Sequence, residues 1–259
     1  MGILNVTDDS FYDGGRYTSI DTAIERGRTL AKEGADIIDI GAESTRPGAM
    51  PINVNEELQR LVPVIQALKK EIHIPISVDS YKPEVIRECV PLGIDMINDV
   101  TGLRNKEMVA LVKESKLPVI LMHMRGTPQT MQKDIHYDDV VKEIYTFFEK
   151  KLHEIDSAHV IIDPGIGFGK EVDHNLLILK NLSVFKTLGC PILIGTSRKS
   201  FIGKVLELPS PIDRLSGTLA SCVYAYLQGA NILRVHDVRE VKQAIKLIEA
   251  IEYVSDKKI

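Results

Sequence analysis

The sequence predicts a closed (β/α)8 barrel, the TIM barrel, as a single domain over residues 1–259. Three observations carry this. Short apolar runs ending in polar or charged residues recur eight times. A helix-like segment follows each run. The length of 259 residues is close to that of one such barrel. A parallel strand covered on both faces reads as a continuous apolar run. A carboxylate or imidazole belongs at the end of such a run only if that end meets water or a ligand. In this fold the C-terminal strand ends build the active site.

The first run, GILN, ends at Asn5. A helix is predicted at 21–32, with Ile20, Ala23, Ile24, Leu30 and Ala31 on one stripe and Gly34 as its stop. The second run, DIID, ends at Asp39, and the third, ISVD, enters through Pro75 and ends at Asp79. Pro83 suits the first turn of the next helix. The fourth run, DMIN, follows Gly93 and ends at Asn98. The fifth, VILMH, enters through Pro118, ends at His123 and precedes an amphipathic helix at 138–155. The sixth, VIID, ends at Asp163. The seventh, ILIGTS, follows Pro191 and ends at Thr196 and Ser197. The eighth, ILRVH, follows Gly229, carries Arg234 and His236, and leads into a helix at 238–251. Glycine after a helix supplies the left-handed cap. Three connections rich in Gly, Pro, Ser, Thr and Asp, at 7–18, 41–55 and 124–137, are long enough to be candidate lids.

Composition narrows the function. A net charge of −4 gives no bulk attraction to nucleic acid or an anionic membrane. No apolar run reaches membrane-spanning length, and the start shows no signal-peptide pattern. Three widely spaced cysteines, Cys89, Cys190 and Cys222, indicate neither a disulfide framework nor a zinc site. The expectation is a cytoplasmic enzyme of small molecules, with no room in this chain for a second domain.

One mouth would then hold Asn5, Asp39, Asp79, Asn98, Asp163, Lys199, Arg234 and His236, with Thr45 and Arg46 from the loop after the second strand. Carboxylates and amides on adjacent strands suit a flat ligand with several N–H donors, because a carboxylate accepts two parallel N–H bonds. Arg46, Arg234 and His236 read as a separate cationic group matched to phosphate or pyrophosphate, near the strand 7–8 region where barrels often hold phosphate. Asn5 offers a neutral oxygen for a magnesium ion that keeps pyrophosphate oxygens and waters as its other ligands. Each residue has a duller reading. An aspartate at a strand end can be only a helix N-cap, Lys199 a surface lysine and His123 a satisfied structural histidine. The glycines of DPGIGFGK (163–170) match neither dinucleotide nor P-loop spacing and read as a tight turn around Asp163.

Collected together, these segments resemble the dihydropteroate synthases of folate biosynthesis, over essentially the whole chain. The motifs are MGILNVT-DSF-DGG (1–15), GADIIDIGAESTRPGA (34–49), SVDS (77–80), INDVTG (97–102), LMHMRGTPQTMQ (121–132), DPGIGFGK (163–170), GTSRKSFIG (195–203) and RVHDV (234–238). The resemblance implies condensation of 6-hydroxymethyl-7,8-dihydropterin pyrophosphate with p-aminobenzoate. It implies that Asp163, Asn98 and Asp79 bind the pterin edge. Lys199 would lie at the ring carbonyl and Met122 against the ring. Thr45, Arg46, Arg234 and His236 would hold the pyrophosphate, and Asn5 the Mg²⁺. Phe11, Pro47, Phe168 and Ser200 would border the aminobenzoate. Sulfonamide sensitivity and a homodimer joined through barrel helices are further implications. The chain departs from the family pattern at Asp8, where proline is usual, and at Tyr12. The nearest rival is a pterin-binding methyltransferase on the same barrel, for which Arg46, Arg234 and His236 have no use. A decayed pterin-binding scaffold predicts missing site residues, and none is missing apart from the loop changes; a phosphosugar isomerase has no use for so many acidic and amide groups.

Overall fold

Six parallel strands pair in chain order: β1 (Gly2–Asn5), β2 (Ile38–Gly41), β3 (Ile76–Asp79), β4 (Met96–Asp99), β5 (Val119–Met122) and β6 (Val160–Asp163). Strands β7 (Leu193–Ile194) and β8 (Ile232–Leu233) pair with each other. Parallel bridges from Ile162 to Ile192 and from Gly2 to Val235 join the two sheets. Ile162 N–H donates to Pro191 O and Ile3 N–H to Val235 O, each at 2.9 Å, so the ring is closed. This computed structural model describes residues 1–6, 19–44, 49–155 and 159–254.

The helices are α1 (Ser19–Lys32), α2 (Val54–Glu71), α3 (Pro83–Cys89), α4 (Lys106–Ser115), α5 (Val140–Ile155), α6 (Val172–Lys180), α7 (Ser200–Leu206), α8 (Leu215–Leu227) and α9 (Val238–Glu252). Pro83 opens α3 as predicted, and Gly34, Gly93 and Gly229 all take positive φ. The β7–β8 connection holds two helices, α7 and α8, where the repeat predicts one. The second, LSGTLASCVYAYL, is apolar around most of its circumference, so no polar face announces it. No helix among the described residues is long and apolar enough to cross a membrane.

Strands β5, β7 and β8 stop at Met122, Ile194 and Leu233, short of the predicted ends at His123, Thr196 and Arg234, and two others run past theirs. The sequence places the end of the second strand at Asp39, but β2 runs on to Gly41. Alternate residues of a strand face opposite ways. Ile38 and Ile40 join the core between barrel and helices, while Asp39 points into the lumen from mid-strand. A polar residue facing the lumen mimics a strand end. Likewise β4 continues past Asn98 to Asp99, which accepts from Thr101 N–H at 2.7 Å.

The lumen is layered. Its apolar floor is Met1, Met96, Ile120, Ile161 and Leu193. Polar side chains stand above that floor, toward the C-terminal strand ends. Around the barrel, α2 is capped by Asn53, whose Oδ1 accepts from Glu56 N–H at 2.9 Å. Asn53→Ala is expected to lower stability by about 1 kcal/mol, read as a shifted urea midpoint with unchanged slope.

Candidate active site

Arg234, just beyond β8, crosses the mouth. Its Nε donates to Asp39 Oδ2 at 2.6 Å and its Nη2 to Asp79 Oδ2 at 2.7 Å. Asn98 Nδ2 donates to the same Asp39 oxygen at 3.0 Å. The sequence set Arg234 apart in a cationic group with Arg46 and His236; in this structure its guanidinium is paired with the carboxylates of Asp39 and Asp79. Carboxylates withdrawn from water require a counter-charge, and the long arginine stem lets Arg234 supply it. Desolvation works against the guanidinium, but Asp39 and Asp79 outweigh it and hold it charged. At Asp79 desolvation, opposed by Arg234 and reinforced by Asp39, pushes the carboxyl up to about 7.

Across the mouth, Asp163 ends β6 as predicted. Gly165 N–H donates to its Oδ1 at 2.7 Å. Gly165 has φ +70°, and a Cβ there would lie 1.9 Å from His123 O. The turn therefore folds this tightly only with glycine. Desolvation raises the Asp163 pKa, opposed by Lys199 and the Gly165 N–H. Lys199 donates to Ile166 O and sits 4.7 Å above the Phe168 ring. Desolvation lowers its pKa to about 8, with Asp163 opposing. Met122 is buried in a patch with Val100, Met124 and Met131, against which Tyr81 and Phe168 pack. The structure thus gathers Asp79, Asn98, Asp163, Met122, Phe168, Lys199 and Arg234 around one mouth.

Other predicted residues sit at its rim. Asn5 ends β1, half-buried and in register with Gly41. Ser200 opens α7 and is exposed. His236 Nδ1 lies 3.0 Å from Ser197 Oγ, which also accepts from His236 N–H at 3.2 Å. This latches the two final strand ends together. Phe11, Thr45, Arg46 and Pro47, with Asp8 and Tyr12, lie outside the described residues.

Sequence reasoning missed two buried networks. Lys82 Nζ donates to Glu43, to Glu57 Oε2 at 2.5 Å and to Ile52 O at 2.8 Å, and Tyr81 OH donates to Glu43 Oε1 at 2.6 Å. This cluster ties together the described stems of the loop after β2. A lysine following SVDSY reads as a solvated helix start, so nothing in the local sequence signals its burial. The second network joins Lys170 Nζ to His123 Nδ1 and His123 O, both at 3.1 Å, and to Phe168 O at 3.0 Å. Burial, with Lys170 beside it, pushes the His123 pKa well below its ordinary value. Its ring also meets Phe147 edge-on at 5.0 Å. Its partners are those of a structural histidine, as the sequence suggested.

The Asp79 shift predicts a pH dependence. Its folded pKa lies above the unfolded value, so its contribution to stability is present at low pH and lost as pH rises through about 7. Acceptance of ligand N–H bonds runs the opposite way. The kcat/KM for the pterin substrate, which reports groups of the free protein, is expected to rise through that same region and then level off, and Asp79→Asn is expected to remove this limb. A wild-type profile flat from pH 6 to 8 would contradict the assignment.

Comparison with known proteins agrees with this arrangement. A family model described as pterin binding enzyme matches residues 1–236. The dihydropteroate synthase of Synechocystis is 46% identical over 257 residues, covering 97% of this chain and 89% of that protein. Among solved structures, the Xanthomonas albilineans dihydropteroate synthase with 4-aminobenzoic acid superposes with a TM-score of 0.92 at 42% identity, covering 98% and 93% of the two chains. The same enzyme with 7,8-dihydropteroate gives 0.90 at 40% identity, again covering 98% and 93%. The Yersinia pestis enzyme, solved in a sulfonamide drug complex, gives 0.91 at 41% identity, covering 98% and 94%.

Proposed function

The chain belongs to the pterin-binding dihydropteroate synthases, and we propose that the residues gathered at its mouth carry out that family's condensation in the roles given below. The reaction joins 6-hydroxymethyl-7,8-dihydropterin pyrophosphate to p-aminobenzoate and yields 7,8-dihydropteroate and pyrophosphate. The observation that carries the assignment is the placement of Asp163, Asn98, Asp79 and Arg234 on one mouth above an apolar floor.

Asp163 accepts the paired N–H groups of the amino-pyrimidine edge, since a carboxylate matches such a fork. Asn98 and Asp79 take the remaining ring nitrogens, Lys199 donates at the ring carbonyl, and Met122 packs against the ring. Arg234 and His236, with Thr45 and Arg46, bind the pyrophosphate. Phe168 and Ser200, with Phe11 and Pro47, border the aminobenzoate. The methylene C–O bond breaks first, and its electron pair leaves with the pyrophosphate. The pterin ring delocalises the resulting cation. The neutral aromatic amine then attacks the methylene carbon, and its proton is lost after the C–N bond forms. Catalysis here is electrostatic: fixed charges meet the charge that develops. Loops 7–18 and 41–55 exclude the water that would capture the cation.

The donor set at Asn5 fits magnesium. It offers one half-buried amide oxygen, and no acidic, histidine or cysteine cage stands among the described residues. That suits an ion held mainly by substrate oxygens and water. When bound, the ion neutralises charge on the leaving pyrophosphate. The chain also acts as a homodimer: Leu176, Val205, Leu206, Tyr224 and Leu227 expose apolar surface on the neighbouring helices α6, α7 and α8.

The test is dihydropteroate formation with a sulfonamide titrated against p-aminobenzoate. The expected result is competitive inhibition, with turnover abolished by chelating the magnesium. Turnover unchanged under excess sulfonamide, or unaffected by the chelator, would contradict the aminobenzoate pocket or the metal respectively. Sedimentation as a monomer at micromolar concentration would contradict the dimer.

A further inference from the structure

Asp39 stands among the mouth carboxylates, yet it is 0% exposed and its Oδ2 is already committed. That one oxygen accepts Arg234 Nε at 2.6 Å and Asn98 Nδ2 at 3.0 Å, and Arg234 Nη2, which donates to Asp79, lies 2.6 Å from it as well. The donors arrive from β4 and from beyond β8, on either side of β2 in the ring. Its Oδ1 has no hydrogen-bond partner but is buried with the rest of the side chain, so in this structure Asp39 faces two residues of the mouth rather than the space open to a substrate. The Arg234 guanidinium is gripped twice, and the grips differ. Asp79 has an 11% exposed side chain, whereas Asp39 lies wholly below the surface. A ligand entering the mouth meets the Asp79 grip first. With Nδ2 given to Asp39, Asn98 keeps its carbonyl oxygen for ligand N–H groups.

We propose that Asp39 is a positioning residue that tethers Arg234 through Nε and orients the Asn98 amide, so that Arg234 Nη2 passes from Asp79 to the leaving pyrophosphate without the guanidinium leaving the mouth. The exchange frees Asp79 for the pterin in the same step that brings the cation to the pyrophosphate. The inference rests on the reading of Arg234 as a pyrophosphate ligand and of Asp79 and Asn98 as pterin ligands.

Asp39→Asn keeps the size and removes the charge. Outer-shell partners of this kind are worth roughly 10- to 100-fold in activity, and the loss is expected in kcat, with the KM for p-aminobenzoate within twofold of wild type. In an Arg234→Ala background the same change is expected to cost less than threefold, because residues acting as one unit are not additive. An equal loss in both backgrounds, or none in a folded Asp39→Asn protein, overturns the tether. The deciding measurement needs no variant. In the wild-type protein, the Arg234 side-chain N–H resonances are followed by NMR on adding magnesium pyrophosphate. The expected result is a slowly exchanging Nε–H that persists while the Nη resonances shift. Loss of the Nε–H as the Nη resonances shift overturns the tether alone. Nη resonances that stay put while pyrophosphate binds overturn the ligand reading and the tether with it.

Discussion

Asp163→Asn is expected to lower kcat/KM roughly 1,000-fold or more, as expected when a site built around hydrogen bonds to its substrate is left with a mismatched group. The carboxylate offers two acceptors to a two-donor edge; asparagine offers one, and turns an N–H₂ group against an N–H donor. Both the attraction and a new clash of donors count against binding. Stability is expected to behave differently. The raised pKa of Asp163 means that its ionised form is penalised by folding. Its contribution is complete below the unfolded pKa and declines as pH rises through the folded one. At pH 8 the amide has no such penalty and still accepts from Gly165 N–H, so the variant's Tm is expected to equal or exceed that of wild type. A large loss of activity with no loss of Tm is the signature. A loss of Tm at pH 8 would mean that Asp163 is structural.

Gly165→Ala is expected to destabilise by roughly 4 kcal/mol or more, within the range reserved for named steric faults. Two costs combine. The φ of +70° is unfavourable for any L side chain, and the new Cβ would lie 1.9 Å from a backbone oxygen, His123 O. No side chain can swing aside to make room. Gly189 is the internal control. Its φ is +71°, yet nothing lies within 4 Å of a Cβ built there. Gly189→Ala pays the left-handed conformation alone, about 1–2 kcal/mol. The difference in chemical-denaturation free energy between the two variants isolates the contact of the Asp163 turn with the end of β5. Equal losses would mean that the turn relaxes and that its tightness is not essential.

The barrel is legible in this chain because both of its periodic signals are local. Apolar runs mark the strands, and glycines such as Gly34, Gly93 and Gly229 mark helix stops. The strand-end residues Asn5, Asp79 and Asp163 stand where the runs say they should. What escaped is of three kinds. Asp39 was misplaced because a run read in one dimension does not distinguish a polar residue facing the lumen from one at a strand end. The partner of Arg234, the Lys82–Glu43–Glu57 cluster and the Lys170–His123 contact depend on residues far apart in sequence, brought together only by barrel closure. Residue type announces a charge; only the fold announces its counter-charge. The helix α8 escaped for a third reason, since a segment apolar around most of its circumference has no amphipathic period to detect.

The central claim is that this mouth ionises a pterin pyrophosphate and delivers the cation to an aromatic amine. Pyrophosphate release from 6-hydroxymethyl-7,8-dihydropterin pyrophosphate, followed with magnesium in the presence and absence of p-aminobenzoate, tests it most directly. The account predicts sustained release only with p-aminobenzoate, matched mole for mole by 7,8-dihydropteroate. Tight pterin binding without release under either condition would contradict it.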